Sequence, residues 1–422
     1  MGAPIEATIR QGIVTGRYEQ GVCRFSAIPF AQAPVGALRF KPPVPADWAG
    51  RLDATAPGPV APQLRSRLVE AMGDFERAQS EDCLRLTVWT PNPDRQRRPV
   101  VVWLHGGAHQ SGGGDLDWYD GAQLAARGNL VVVAPNYRLA ALGWLHLPDA
   151  CSNLGLLDQE AALDWVHAHI ESFGGDPDRV TVMGQSAGAQ SIVGLLLRPA
   201  RFKRAILQSA PLGRGFASKE WASSIRAHLM EAVGAQDLAA LQAVPVQALL
   251  QAQQSARVRQ ALQEQTSKHN LFSPIADGSI LPDNANALLR QASSRMDVLI
   301  GHTSNEMAAF TAIRDPEQQR SLSAEIYAEP AQAWARDATE QGRKAWLYRF
   351  EFAPSARFGA CHCVELPFVF GTAEAFSKAP MLRGAARADI QRLTSALQHT
   401  WIQFIRNGDP GWEAWPQQHV FS

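Results

Sequence analysis

The sequence has few cysteines and no imbalance of charge, and both absences exclude classes of function. Its five cysteines, Cys23, Cys83, Cys151, Cys361 and Cys363, are an odd and sparse set that does not make a disulfide framework. The 40 Lys and Arg residues balance the 40 Asp and Glu residues, so no net positive charge favours nucleic acid and no basic segment favours anionic lipid. We therefore expect neither a nucleic acid nor a membrane as a partner.

Long apolar runs and targeting signals are also absent. No uninterrupted apolar segment approaches the length that crosses a membrane. Residues 1–8 lack the basic region followed by an apolar region that identifies a secretory leader. We therefore expect a cytoplasmic protein, or a secreted one if a leader has been removed.

A metal site is not expected either. The adjacent residues Cys361, His362 and Cys363 lack the usual C-x-x-C spacing of metal ligands, and no second cluster completes a set of four. Buried thiols are the expected alternative. No metal or organic cofactor is implied.

The composition is that of a folded protein with a large core. Apolar residues make up 46% of the 422 residues, and no internal repeat or convincing linker divides the chain. The continuous apolar runs at 98–104 and 130–134 are typical of strands buried on both faces of a parallel sheet. Further strands are expected near 179–183, 205–208, 297–300 and 346–350, and helices at 158–171, 217–265 and 385–406. This alternation predicts one α/β domain over residues 1–422, with a mostly parallel, doubly wound sheet flanked by helices.

The pentapeptide Gly-Gln-Ser-Ala-Gly at 184–188 matches the pattern G-x-S-x-G. The β-branched apolar run at 179–183 precedes it, and residues 189–197 can continue as a helix. A strand, a sharp turn that carries serine, and a helix form a nucleophile elbow. The flanking glycines allow the tight turn, and the start of a helix favours negative charge. The pattern therefore predicts Ser186 as a nucleophile.

A serine hydroxyl is a weak nucleophile, so it needs a base and a carboxylate that orients the base. After a nucleophile elbow, the acid and then the histidine follow along the chain. One candidate segment, 301–306, follows an expected strand and includes Glu306. The other, 359–368, follows the strand near 346–352 and includes His362. Position alone does not single out His362 among the 11 histidines.

Residues 105–108, His-Gly-Gly-Ala, follow the expected strand at 98–104 in the manner of an esterase oxyanion loop. Gly106 and Gly107 permit a close approach of the backbone to a reacting group, and the N–H of Ala187 offers a further donor. Each donor aimed at a developing oxyanion contributes about 3 kcal/mol of transition-state stabilisation. Tight turns use glycine for structural reasons as well, but the loop and the elbow together favour an oxyanion hole.

Further motifs are spread over most of the chain. They are AIPFA and LRF at 27–31 and 38–40, SEDCL at 80–84, NYRL at 136–139, NLGLLDQ at 153–159 and FGGDP at 173–177. With the elbow and the HGG loop, they resemble the motifs of the type-B carboxylesterases, the cholinesterase-like branch of the α/β-hydrolases. The resemblance implies a serine carboxylesterase of the α/β-hydrolase fold, in which Ser186 is the nucleophile, Glu306 the acid and His362 the base. It assigns the oxyanion hole to Gly106, Gly107 and Ala187.

The resemblance also gives structural roles to residues that otherwise look catalytic. In the family, internal salt bridges are formed by the charged residues that correspond to Arg39, Glu81, Asp82, Arg138 and Asp158. His105 is expected to position its loop, and His109 and His302 are expected to pack in loops or to face solvent.

The sequence departs from the family at several positions. Ala61 stands where the family has a cysteine that pairs with the counterpart of Cys83, so Cys83 is expected to be a free thiol. Gln185 replaces a common Glu, and residues 62–82 contain no Trp to hold a quaternary ammonium group. Both differences argue against choline esters. Met307 replaces a common Gly, so the shape around the acid is expected to differ.

The spacing between Glu306 and His362 is shorter than the family usually has, and the shortening falls near residues 307–325. Relatives have helices there that flank the active site. We expect a shortened helical region and a wider, shallower site that admits bulky esters. The same shortening could instead weaken the support of Glu306.

The sequence does not exclude two other functions. A non-catalytic binding module shares the fold, although such members typically lack a catalytic residue. The same triad also acts on amide, carbamate or polyester bonds. We expect a small-molecule ester as the partner, and the sequence does not decide between a monomer and a homodimer.

Overall fold

Strands and helices alternate along the parts of the chain that the computed structural model describes, residues 3–264 and 270–422. In these residues the strands are β1 (Ala3–Ile9), β2 (Gly12–Glu19), β3 (Val22–Pro29), β4 (Gly50–Asp53), β5 (Arg85–Thr90), β6 (Arg98–Leu104), β7 (Val131–Pro135), β8 (Gly175–Gln185), β9 (Arg204–Gln208), β10 (Val298–Thr303), β11 (Ala345–Phe350) and β12 (Gln418–Phe421). The α-helices are α1 (Val69–Met72), α2 (Ala122–Gly128), α3 (Ala140–Trp144), α4 (Leu154–His169), α5 (Ala187–Leu196), α6 (Lys219–Val233), α7 (Leu238–Ala243), α8 (Val246–Ala252), α9 (Ala256–Glu264), α10 (Leu289–Ser293), α11 (Pro316–Ser323), α12 (Glu329–Glu340), α13 (Leu366–Phe370) and α14 (Arg387–Asn407).

All the strands of the described residues belong to one sheet. Its order is β1-β2-β3-β5-β7-β6-β8-β9-β10-β11-β12, and β4 pairs with β2. The neighbours from β7 to β12 run parallel, whereas those from β1 to β7 run antiparallel. Parallel strands have their carboxyl ends at one edge of a sheet. The loops that follow β6, β8, β10 and β11 therefore meet at this edge, where α/β proteins bind their ligands.

Strand β6 explains why helices cover the sheet on both faces. Val100 and Val102 belong to one buried apolar cluster, and Val101 and Trp103 belong to the other. Successive side chains of a strand point to opposite faces, so a continuous apolar run needs a cover on each side. Helices α4 and α5 contribute to the first cluster, and α14 contributes to the second with residues such as Trp401.

The expected order of elements is confirmed through the centre of the fold. Strands β6 to β11 correspond to the six predicted strands, and α14 corresponds to the helix predicted at 385–406. The pattern at 158–171 forms α4 and then a 3-10 turn over 170–173. Gly174 ends that turn because it adopts a left-handed φ of 80° that suits glycine.

The helices predicted over 217–265 are α6 to α9, apart from residue 265, which lies outside the described residues. In the structure these helices pack mainly against one another. Helix α6 packs against α8 and α9, and α8 also packs against α3. The reason is that the apolar side of α6, with Ile225 and Leu229 buried, is covered by the neighbouring short helices.

The segment after Glu306 remains helical although it is short. It contains a 3-10 turn at 306–309, helix α11, a π-helical turn at 324–328 and helix α12. The π-helical turn and α12 follow α11 without a break, so the segment still forms a wall beside the carboxyl edge of the sheet.

Two further observations concern thiols and membranes. All five cysteines are free, as expected for Cys83, which is buried. Among the described helices, none combines the length and the apolar character needed to cross a membrane.

Ion pairs join distant segments, as the resemblance implies. Arg138 Nη2 lies 2.6 Å from Asp158 Oδ1, and the two side chains are 3% and 0% exposed. The backbone N–H of Arg138 also donates to Asp158 Oδ2 at 3.0 Å. Arg39 forms a two-pronged pair with Glu81, and Asp82 pairs with the arginine three positions later. These charges stabilise the fold and lie outside the reaction.

Replacing Asp158 tests this structural role. In Asp158→Asn the buried guanidinium of Arg138 loses its counter-charge, so we expect the free energy of unfolding to fall by about 3–5 kcal/mol. Denaturant unfolding followed by circular dichroism measures the change. Glu340→Gln is the control, because the Arg290–Glu340 pair is 64% and 49% exposed and its loss should cost less than about 1 kcal/mol. Equal losses in the two variants would contradict the assignment.

Candidate active site

Ser186 lies at a sharp turn between β8 and α5. Its backbone has φ 55° and ψ −120°, a sparsely populated conformation for a residue other than glycine, which costs about 1–3 kcal/mol. Close packing holds the turn in place. A Cβ on Gly188 would lie 2.0 Å from Leu104 O, and a Cβ on Gly184 would lie 2.7 Å from the backbone of Gly188. The two glycines therefore allow the elbow to press against the end of β6.

Glu306 and His362 lie together on neighbouring loops after β10 and β11. His362 Nδ1 is 2.5 Å from Glu306 Oε2, and both side chains are buried. The backbone N–H of Thr303 donates to Glu306 Oε1 at 2.8 Å. The loops are joined by backbone hydrogen bonds from Asn305 N to Ala360 O at 2.9 Å and from His362 N to Glu306 O at 3.3 Å. The short segment after Glu306 thus leaves these supports of its carboxylate in place.

A second buried carboxyl group, Glu365, lies near this pair. Burial, and then the negative charge of Glu306, raise the pKa of Glu365 to about 8. Burial acts in the same direction on Glu306, but the charge and the hydrogen bond of His362 hold the pKa of Glu306 below its usual value. Glu365 Oε1 accepts a hydrogen bond from Gln208 at 3.4 Å, and Oε2 has no partner among the described residues. The negative charge is therefore held on the carboxyl group that contacts the imidazole.

The other ring nitrogen of His362 faces the elbow. His362 Nε2 lies 3.1 Å from Gln185 Nε2, and His362 lines one cavity with Ser186. Because Nδ1 donates its proton to the carboxylate of Glu306, Nε2 carries the lone pair of the ring, which accepts a hydrogen bond from the amide N–H of Gln185. That lone pair can accept a proton from a hydroxyl group at the elbow. The rings of Phe310 and Tyr327 pack around the imidazole, with centroids 5.5 and 5.3 Å from it.

The residues expected to form the oxyanion hole differ in their position relative to the cavity. Gly107 and Ala187 line the cavity beside Ser186, as does Ala108, which the sequence did not single out. Gly106 is not part of the cavity wall. A Cβ on Gly106 would lie 2.6 Å from the side chain of Gln185, so glycine is needed there for packing against the elbow. Ala108 has a left-handed φ of 55°, which turns the loop after Gly107.

The other histidines near the site are buried and serve the packing of loops. His105 contacts Gly106 O through Nδ1 at 2.8 Å and stacks on Tyr137, and burial lowers its pKa to about 4. His109 lies 3.2 Å from a serine hydroxyl of α5, and burial lowers its pKa to about 3. His302 Nδ1 contacts the carbonyl of the next residue at 3.0 Å. None of the three faces solvent.

The cavity has a volume of about 620 Å³ and is mostly apolar where it surrounds the reacting groups. Met307, Phe310, Ile313 and Tyr327 come from the segment after Glu306 and form one wall. Apart from Met307, these wall residues were not identified from the sequence, because they come from a segment with no motif. No group of three or more metal-ligating side chains is found within residues 3–264 and 270–422.

Comparisons with known proteins agree with this arrangement. The model of the carboxylesterase family matches residues 3–329 and 316–419. The chain is 37% identical to the para-nitrobenzyl esterase of Bacillus subtilis (strain 168) over 463 residues, which covers 98% of this chain and 92% of that protein. It is 38% identical to a probable N-octanoylanthranilate hydrolase of Rhodococcus erythropolis, covering 97% and 94% of the two chains.

Solved structures show the same likeness. A PNB esterase structure superposes with a TM-score of 0.87 at 33% identity and covers 99% of this chain and 95% of its own. The carboxylesterase EST55 of Geobacillus stearothermophilus at pH 6.2 has a TM-score of 0.83 at 32% identity, with 98% and 93% covered. Para-nitrobenzyl esterases and this chain therefore share the α/β-hydrolase fold.

The raised pKa of Glu365 predicts a pH-dependent stability. In the unfolded chain this carboxyl group ionises from about pH 4.5, whereas in the folded protein it stays protonated up to about pH 8. The folded state binds more protons in this window, so stability falls as pH rises from about 4.5 to about 8. In Glu365→Gln this loss is absent. The free energy of unfolding of Glu365→Gln minus that of wild type should therefore increase by about 1.4 kcal/mol per pH unit across the window.

Urea unfolding of both proteins at closely spaced pH values measures this difference. The control is Glu340→Gln, an exposed carboxylate on α12, which should show no such slope. A gain for Glu365→Gln that stays constant between pH 5 and 8 would contradict the charge assignment.

Proposed function

This chain belongs to the carboxylesterase family, and from that premise we propose that Ser186, His362 and Glu306 carry out its serine esterase reaction. The enzyme hydrolyses carboxylic esters, as its relatives do. The observation that carries the residue assignment is that His362 contacts Glu306 on one side and Gln185, the neighbour of Ser186, on the other, and lines one cavity with Ser186. The three side chains have the roles of base, acid and nucleophile that acyl transfer requires.

The first half of the reaction forms an acyl-enzyme. His362 Nε2 accepts the hydroxyl proton of Ser186 while the serine Oγ attacks the ester carbonyl. The backbone N–H groups of Gly107, Ala108 and Ala187 donate to the oxyanion of the tetrahedral intermediate. The intermediate then collapses as the imidazolium gives its proton to the departing alkoxide, so the alcohol leaves and the acyl group stays on Ser186.

The second half of the reaction uses the same groups. His362 removes a proton from water, which attacks the acyl carbonyl, and the new tetrahedral intermediate releases the carboxylic acid and the serine hydroxyl. Glu306 stays ionised throughout and stabilises the imidazolium that forms in each half. The lowered pKa of Glu306 supports this role, and the raised pKa of Glu365 supports the assignment of the acid to Glu306 alone.

The substrates are small-molecule esters. Relatives include a para-nitrobenzyl esterase and a fumonisin B1 esterase, so the family accepts ester groups on very different molecules. We propose that this chain accepts bulky esters, which the cavity volume of about 620 Å³ supports. Neither a nucleic acid nor a membrane enters this proposal.

We also propose that residues 1–422 act as one catalytic unit in the cytoplasm. The support for one unit is that a single sheet contains all the strands of the described residues. The support for a reducing compartment is that the five cysteines are free thiols.

Substitution of the three side chains tests the proposal. Ser186→Ala and His362→Ala remove the nucleophile and the base, so kcat on p-nitrophenyl butyrate should fall by about 10⁴-fold or more. Glu306→Gln keeps the shape but removes the charge that stabilises the imidazolium, and we expect a loss of about 10³- to 10⁴-fold. Circular dichroism of each variant verifies the fold.

The matched control is Glu365→Gln. Glu365 is a buried glutamate beside the same histidine loop, but it is largely neutral at pH 7, so the amide should keep activity within about tenfold of wild type. The proposal would fail if Ser186→Ala kept its turnover. The assignment of Glu306 as the acid would be contradicted if Glu365→Gln lost as much activity as Glu306→Gln.

A further inference from the structure

Arg67 and Arg214 line the cavity that contains Ser186 and His362, and neither has a role in the proposed triad. Arg67 lies just before α1, and Arg214 lies in the turn after β9. They come from segments far apart in sequence and line the same cavity. Positive charge is therefore part of the surface that a substrate meets.

No described carboxylate lies beside Arg67 to neutralise its charge. No Asp or Glu belongs to the cavity wall in the described part of the chain. A third arginine, Arg65, has its own partner, because its Nε lies 2.7 Å from Asp74. Arg67 has no ion pair with any described carboxylate. Its contacts are Asn270 Oδ1 at 3.4 Å and the face of Phe310, whose centroid is 5.9 Å from the guanidinium carbon.

Arg67 lies near the catalytic imidazole and lines the same cavity as Arg214. Arg67 keeps an exposed surface, but the protein atoms packed around its guanidinium, and then the positive charge of Arg214, lower its pKa. Arginine nevertheless stays protonated at physiological pH, so both charges persist. The Phe310 ring that Arg67 covers is 5.5 Å from the His362 ring, so one aromatic ring separates the guanidinium from the base. A concave wall of one charge sign focuses its field on the bound ligand.

We infer that the enzyme prefers esters that also carry a carboxylate, and that Arg67 and Arg214 hold this carboxylate while the ester carbonyl lies at Ser186. The inference rests on the proposed function. The fork of a guanidinium matches the two oxygens of a carboxylate, which makes arginine suited to this recognition. The ester bond breaks as in any other substrate, and the carboxylate that is held does not change.

Matched pairs of anionic and neutral esters test the inference. p-Nitrophenyl hydrogen adipate and p-nitrophenyl hexanoate differ in charge on the acid side. 4-Carboxyphenyl butyrate and 4-acetylphenyl butyrate differ in charge on the alcohol side. In at least one pair, wild type should hydrolyse the anionic ester with a kcat/KM about tenfold or more higher. Added NaCl should reduce kcat/KM for that anionic ester and leave its neutral partner nearly unchanged.

Arg67→Gln and Arg214→Gln should each reduce kcat/KM for the preferred anionic ester by about tenfold or more, and should change the neutral ester by less than about threefold. The charge-matched control is Arg51→Gln, because Arg51 is exposed and pairs with Glu6 on the first strand of the sheet. It should change neither ester. The salt dependence of wild type gives a result that does not depend on the folding of any variant.

Three results would overturn the inference. They are equal kcat/KM for both members of each pair, an equal loss on anionic and neutral esters in the arginine variants, and insensitivity to NaCl. In each of these cases turnover of the neutral esters leaves the proposed function intact. If the folded protein turns over none of the four esters, the proposed function fails and the inference fails with it.

Discussion

The hydrogen bond between Glu306 and His362 is the interaction on which the rest of the site depends. It fixes the imidazole by its Nδ1, so that Nε2 points toward the elbow, and it joins the loops of two adjacent strands. The carboxylate can stay charged inside the protein because the histidine and the N–H of Thr303 both bond to it. Without this pair, the strained turn at Ser186 would present a hydroxyl group with no base.

The electrostatics of the region follow from the same pair. Glu306 and Glu365 are both buried near His362, on two neighbouring loops, and like charges at such proximity do not both ionise readily. The one that contacts His362 keeps its negative charge, and Glu365 keeps its proton to about pH 8. Burial also keeps His105 and His109 neutral. A single charged acid and a single base that reaches the elbow remain, and Arg67 and Arg214 add positive charge to the cavity wall.

Much of this arrangement can be predicted from local patterns. The continuous apolar runs predicted β6 and β7, because only a strand covered on both faces buries every side chain. The G-x-S-x-G pattern between a strand and a helix predicted the turn at Ser186. The order of acid and histidine along the chain limited the candidates for the acid and the base to two loops. Those patterns encode backbone geometry, which a short stretch of sequence determines.

The remaining features depend on contacts between distant segments. Gly106 and Ala108 belong to one loop, and the sequence does not distinguish their roles. In the folded protein Gly106 packs against the side chain of Gln185, whereas Ala108 lines the cavity. The sequence around Glu365 does not indicate a raised pKa, because the shift arises only in the folded state, from burial and from the charge of Glu306. Arg67 and Arg214 are far apart along the chain, so their spacing in the sequence does not predict that they line the same cavity.

The most direct test of the account is the site at which an active-site-directed fluorophosphonate reacts. The reagent forms a covalent bond only with a serine that a neighbouring base activates. Intact-mass and peptide mass spectrometry of the labelled protein should show one adduct, on Ser186, formed far more slowly when His362 is replaced by Ala. An adduct on another serine, or equal labelling rates with and without His362, would contradict the account.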